Sequence, residues 1–127
     1  MIFGIGTDIV AVARMEAARL RHGTAFAERI LSKPELAEYT TQAHPARFLS
    51  KRFAAKEAFA KATGHGLRYP VSLRHITVTH DELGKPSFLF ETELSALLSG
   101  MGVARHHLSI SDERDTVVAF VVLEGVA

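Results

Sequence analysis

The sequence has no cysteine among its 127 residues, which excludes a disulfide framework, a thiolate zinc site and a thiol nucleophile, and nothing in it argues for an oxidising compartment. A reducing cytoplasm is the expected setting. No stretch approaches the roughly 20 apolar residues that span a bilayer, and no basic region precedes the short apolar run at the N-terminus, so neither membrane insertion nor secretion is expected. Net charge is scarce too: +1 with seven histidines argues against general nucleic-acid binding while leaving room for local basic patches. What is present suits an ordinary folded domain. With 47% apolar and 23% charged residues at this length, residues 1–127 are expected to form a single domain. Such a chain buries somewhat less than about 70% of its unfolded surface, so oligomerisation would help it.

Residues 2–10 (IFGIGTDIV) are apolar and β-branched, and predict a strand buried on both faces with one acid, Asp8, inside it. Val12, Met15 and Leu20 are spaced for a helix ending near His22, with Gly23 as its stop. Two short helical stretches follow around 25–31 and 34–40, the second opened by Ser32 as N-cap and Pro34; neither holds an obvious site. Pro45 then begins the longest helical pattern, ARFLSKRFAAKEAFAKAT, stopped by Gly64-His65-Gly66. Beyond the Tyr69-Pro70 break, residues 73–91 predict a hairpin turning through ELGKP. A helix from Thr92 to about Met101 and two β-rich runs joined near Asp112–Asp115 complete the chain, with only the last three residues expected to fray. Helices and antiparallel strands in one domain mean an α+β fold, a compact unit with an antiparallel sheet packed on the long central helix. There is no internal repeat, linker or low-complexity segment.

On a helical wheel of the long helix, Arg52 and Lys56 fall inside the apolar sector with Phe48, Leu49, Phe53 and Phe59. Two readings stay open for these cations: stems that cover apolar surface while the heads reach water, or phosphate ligands. Glu57 and Lys61, four apart at the sector's edge, form either a surface ion pair or part of a site. A carboxylate within a buried strand needs a compensating partner, so Asp8 either accepts backbone amides or holds a cation. If strand and helix pack together, Asp8 and Glu57 offer two carboxylates to one hard cation. Magnesium accepts such a sparse protein set because waters and substrate phosphates fill its octahedron. His106 and His107 are adjacent in a strand and point to opposite faces, so they cannot chelate one metal. Gly64 and Gly66 serve as a helix stop or as a close approach to phosphate. Arg14 and Arg21, with Met15 between them, form either a solvated face or a docking face for an acidic helix.

Four segments together resemble the small bacterial holo-acyl-carrier-protein synthases, a class of 4'-phosphopantetheinyl transferase: GIGTDIV at 4–10, RFLSKRFAAKEAFAKATGHG at 47–66, the ELGKP turn, and HLSISDER running into VVAFVV. The resemblance covers the whole chain and is carried by the order and spacing of the first two. It implies a magnesium-dependent transfer of phosphopantetheine from coenzyme A to a serine of an apo-acyl carrier protein, in fatty acid biosynthesis. By the same resemblance Asp8 and Glu57 hold Mg2+ and Lys61 lies near the coenzyme A pyrophosphate. Arg52 and His107 match positions at the adenosine 3'-phosphate, and Gly64, Gly66, Lys85 and Ser109 join the coenzyme A-binding set. Arg14 and Arg21 correspond to the face on which the acidic carrier protein docks. A homotrimer with coenzyme A between neighbouring protomers is implied as well.

One position departs from the pattern. Many relatives have HxSxSH where this chain reads HLSISD, so Asp112 inherits no role from that histidine. Two other classes fit the residues alone: a non-catalytic coenzyme A or nucleotide-binding module, and a scaffold that holds carrier proteins unmodified. Magnesium dependence separates the first from the enzyme, and the carrier's mass after incubation separates the second.

Overall fold

The packing is set by how closely the first strand can lie on the long helix. A Cβ built on Gly4 would fall 2.0 Å from the Ala62 carbonyl oxygen, and one on Gly6 would fall 1.9 Å from that of Ala58. Only glycine admits that approach, and the helix meets it with a small-residue stripe of Ala54, Ala55, Ala58 and Ala62, all buried. The computed structural model describes residues 1–126. In chain order its elements are β1 (Ile2–Ala11), α1 (Val12–His22), α2 (Thr24–Ile30), α3 (Lys33–Tyr39), α4 (Pro45–Thr63), β2 (Ile76–His80), β3 (Pro86–Phe90), α5 (Thr92–Met101), β4 (Val103–Asp112) and β5 (Thr116–Gly125). The α+β class expected from the sequence is what they form.

β1, β5 and β4 make a three-stranded antiparallel sheet in that order, and β2 and β3 make a separate two-stranded one. The register pairs Asp8 with Ala119 and His107 with Val122. Val10, Leu108, Val117, Ala119, Val121 and Leu123 face α4 and are buried. Phe59 of α4 carries the same core to the second sheet, its ring 5.3 Å from Phe88 and 4.8 Å from Phe90. Ser32 and Glu35 open α3 as a capping pair, Glu35 Oε1 accepting from the Ser32 N–H at 2.9 Å.

Three expectations change. β1 is not buried on both faces: Ile5 and Ile9 are 61% and 70% exposed on its outer side, where Val118 and Phe120 of β5 are also open to solvent. An apolar strand in the middle of nothing on one face follows the two-sided pattern only if another surface covers it. The stretch 73–91 is not hairpin throughout; residues 73–75 form a 3-10 turn before β2 begins. Of the last three residues, Gly125 ends β5 and the Val126 N–H donates to the Gly102 carbonyl at 3.1 Å, while Ala127 lies outside the described residues.

Candidate active site

Because Asp8 occupies the inward side of β1 and α4 lies directly beneath, the strand delivers its carboxylate to the helix face that carries Glu57 and Lys61. Lys61 Nζ is 3.2 Å from Asp8 Oδ1 and donates to the Thr7 carbonyl at 3.0 Å. Asp8 is largely shielded, whereas the Lys61 side chain remains more than half exposed and free to meet a ligand. Burial pushes the Glu57 carboxyl above the ordinary carboxylate range, the charge of Asp8 adds to that, and Lys61 opposes both. The charge of Asp8 is felt at Glu57, and of the two carboxylates Lys61 hydrogen-bonds only Asp8, so negative charge outweighs positive there.

Asp8 and Glu57 both line a cleft of about 580 Å³, and Lys61 stands beside it. Val10, Met15, Phe26, Ile30, Phe53 and Leu73 make its walls apolar, and Arg14 and Arg29 stand in its lining. An apolar cleft with charged groups in its lining suits a flexible, mostly uncharged chain that ends in phosphate. The donor set also fits magnesium: hard carboxylate oxygens from two elements, and among the described residues no group of three His, Cys, Asp or Glu that would enclose a metal without substrate.

The other predicted positions lie elsewhere. His107 and Ser109 project from the outer face of the sheet, across it from Asp8. His107 Nε2 lies 2.5 Å from Glu124 Oε2, and Arg105 approaches the same carboxylate at 3.2 Å. Lys85 joins His107 in a polar cleft of about 330 Å³ at the free edge of β4. His106 points the opposite way, as expected, its ring 5.1 Å from Phe90 and edge-on to it. Its buried Nδ1 has no hydrogen-bond partner, and burial lowers its pKa, with the charge of His107 assisting. Gly64 is the left-handed C-cap of α4, at φ 72°, and its N–H reaches back to the Lys61 carbonyl at 3.1 Å. Gly66 also has positive φ and is exposed. Arg14 lines the cleft, whereas Arg21 is exposed at the far end of α1 and does not.

The two cations of the wheel part company. Arg52 is 6% exposed, donates to the Val78 carbonyl at 2.6 Å and sits 4.5 Å over the Phe48 ring. It borders a third cleft, of about 330 Å³, together with His44, Arg47, Lys51 and His80. Lys56 follows neither reading offered for it: it is wholly buried, and its ammonium donates to Ile30 O at 2.7 Å, Leu73 O at 2.9 Å and Glu35 Oε1 at 2.5 Å. Burial lowers its pKa to about 8 against the opposing pull of Glu35.

Some residues of this region were not visible in the sequence. α2 was expected to hold no site, yet it supplies Phe26, Arg29 and Ile30 to the cleft. Nothing in its seven residues alone signals that; the packing of α2 on α1 and α4 produces it. Phe53 was assigned only to the core.

A family model described as the 4'-phosphopantetheinyl transferase superfamily matches residues 4–120. A holo-[acyl-carrier-protein] synthase of Nitrosospira multiformis is 56% identical over 98% of this chain and 99% of its own length. The crystal structure of the synthase from Neisseria meningitidis superposes with a TM-score of 0.95 at 53% identity, covering 98% of this chain and 99% of that one. The synthase of Bacillus anthracis, solved in complex with CoA (3',5'-ADP), superposes with a TM-score of 0.81 at 37% identity, covering 99% of both chains.

Proposed function

The chain belongs to the 4'-phosphopantetheinyl transferase superfamily, and we propose that, as one transferase domain, it moves the 4'-phosphopantetheine arm of coenzyme A onto a serine of an apo-acyl carrier protein. The observation that carries this reading is that Asp8 and Glu57 line one apolar cleft with Lys61 bonded to Asp8 beside it. Relatives named for the same reaction, one of them bound to CoA (3',5'-ADP), agree with it.

Asp8 and Glu57 would hold Mg2+, which would offset the charge of the pyrophosphate. Lys61 neutralises a further pyrophosphate oxygen from its exposed ammonium. The apolar walls take the pantetheine arm and exclude water from it. The carrier serine oxygen bonds to the β-phosphorus as its hydroxyl proton passes to solvent water, the bond from that phosphorus to the bridging oxygen breaks, and adenosine 3',5'-bisphosphate leaves with the bridging oxygen. Arg14 at the cleft and Arg21 along α1 face an acidic carrier.

The placement of His107 and Ser109 on the opposite side of the sheet, with Lys85 at the free edge of β4, supports a site shared between protomers, and the family resemblance makes that assembly a homotrimer. Within one protomer His107 and Ser109 face away from Asp8 and Glu57, whereas a neighbour packed on the exposed Ile5, Ile9, Val118 and Phe120 would bring its own copies toward them. Arg52, Gly64 and Gly66 complete the proposed coenzyme A set. No helix among the described residues is long and apolar enough to cross a membrane. A cytoplasmic role in fatty acid biosynthesis completes the proposal.

The test is incubation of the purified chain with apo-carrier and coenzyme A, with magnesium or with a chelator, followed by intact mass spectrometry of the carrier. A gain of roughly 340 Da, one phosphopantetheine, only with magnesium supports the reading. Coenzyme A binding with no mass gain refutes it in favour of a binding module.

A further inference from the structure

Lys56 sits in the sequence directly before Glu57, yet it turns away from Asp8 into the interior. There its ammonium has three donors and three acceptors for them: the carbonyls of Ile30 and Leu73, and the carboxylate of Glu35. Glu35 is equally buried and equally satisfied. Its Oε1 also accepts from the Ser32 N–H at 2.9 Å, its Oε2 accepts from the Val78 N–H at 2.9 Å, and Arg52 Nη1 lies 3.5 Å from that same oxygen. The pair therefore ties together the end of α2, α3, α4, the 3-10 turn and β2.

Stability alone is a poor explanation for such a pair, because apolar residues of similar volume often serve a core as well or better. What an ammonium adds is direction: it fixes three acceptors around one atom. Two of those acceptors are backbone oxygens of Ile30 and Leu73, and both residues line the same cleft as Asp8 and Glu57. Residues 56 and 57 differ by about 100° around the helix axis, so one turn of α4 presents Glu57 to the cleft and, through Lys56, grips the wall formed by Ile30 and Leu73.

We propose that Lys56 and Glu35 are a positioning pair for the transfer reaction, holding the Ile30 and Leu73 wall of the cleft at a fixed place relative to Glu57. This rests on the transferase reading. Its kinetic mark is a loss of turnover larger than the loss of coenzyme A binding, since the wall meets only the uncharged arm and the phosphates are met by other residues.

The absence of cysteine gives a clean test. Lys56→Cys, unfolded and alkylated with 2-bromoethylamine, then refolded, regains an ammonium at nearly the original length. Alkylation with 1-bromopropane gives the same shape without charge. The expected result is a kcat near wild type for the aminoethyl protein and about 10- to 100-fold lower for the propyl protein, with the KM for coenzyme A within about threefold in both. A folded propyl protein with wild-type kcat overturns the proposal, as does an aminoethyl protein that folds and is no faster than the propyl one. Should the propyl protein not refold, Glu35→Gln, which keeps shape and Lys56, is expected to lower kcat by a larger factor than it raises the KM for coenzyme A, any rise in KM coming through Arg52 beside Glu35 Oε2. Wild-type kcat in folded Glu35→Gln overturns the proposal equally. If the wild-type chain itself transfers nothing, the transferase reading fails instead, so the two failures are told apart.

Discussion

Arg47 spans from α4 to the turn between β4 and β5, its Nη1 2.7 Å from Asp112 Oδ2 and 2.8 Å from the Glu113 carbonyl oxygen, its Nη2 2.5 Å from that of Arg114. Asp112, which inherits no role from the resembled pattern, is therefore occupied in holding a turn, with Lys51 3.5 Å away as a second cation. The carbonyl contacts outnumber the carboxylate contact, and charge-assisted hydrogen bonds each contribute about 1.5–3 kcal/mol at most when shielded. Arg47→Ala should then destabilise by about 1–2 kcal/mol, whereas Asp112→Asn, which keeps an acceptor oxygen, should cost under about 1 kcal/mol. Urea unfolding of both variants checks the order; Asp112→Asn proving the more damaging would reverse the assignment.

Glu57→Gln separates function from stability. In the folded chain the Glu57 carboxyl is pushed above its ordinary range by burial, then by Asp8, so folding favours its protonated form. The folded state consequently binds more protons than the unfolded one between the ordinary carboxylate pKa and the raised value. Its stability falls as pH climbs through that window and stays lowered at neutral pH. Removing the charge should raise Tm at pH 7 and flatten that fall, while transfer is lost. Magnesium should raise the Tm of the wild type by mass action and that of the variant much less. Calorimetry from pH 4 to 8, with and without the cation, reads all three effects. A variant less stable than wild type at pH 7 would mean that the carboxylate is well compensated.

Gly6→Ala tests the strand on which the site hangs. The added Cβ would meet the Ala58 backbone oxygen at 1.9 Å, and helix backbone cannot yield as a flexible side chain can. The expected cost is about 3 kcal/mol, the upper end for overpacking, with β1 displaced from α4. Asp8 lies two residues on along the same strand face, so the fraction that folds should also lose turnover. An unfolding midpoint in urea unchanged from wild type would show that the strand has slack.

The elements were legible because their signals are local: the 3.6-residue period of α4, the alternation in β2 and the glycine stops at Gly23 and Gly64 all act within a few residues. Asp8, Glu57 and Lys61 were legible as a set because a lone acid in an apolar strand and a pair four apart on a helix both ask for partners. What stayed hidden depends on contacts between distant segments. Lys56 looked like a surface cation displaced into the core because its partner Glu35 is 21 residues earlier, in a helix that declares only a cap. β1 looked doubly buried because its outer residues are apolar, but among the described residues nothing covers Ile5 and Ile9, which stay exposed. Arg29 and Phe26 reached the cleft through the angle between α1 and α2, which no periodicity encodes.

The division of the proposed site across the sheet leads to the sharpest prediction about assembly. Asp8, Glu57 and Lys61 lie on the α4 side, and His107 lies on the outer side against Glu124. If a neighbour's outer face completes each site, a protomer lacking Glu57 can still lend His107, and one lacking His107 can still supply Glu57. Glu57→Gln and His107→Ala, each assayed alone, should both be impaired. Unfolded together in equal amounts and refolded, they should recover about a quarter of wild-type turnover, the share of sites that draw both intact residues from random neighbours. Adding Ile9→Asp and Phe120→Asp to both chains should abolish that recovery and leave a smaller species in sedimentation, because two charges would enter the apolar contact. A mixture no more active than the mean of its two parents would place the whole site within a single chain, and His107 would then have no part in it.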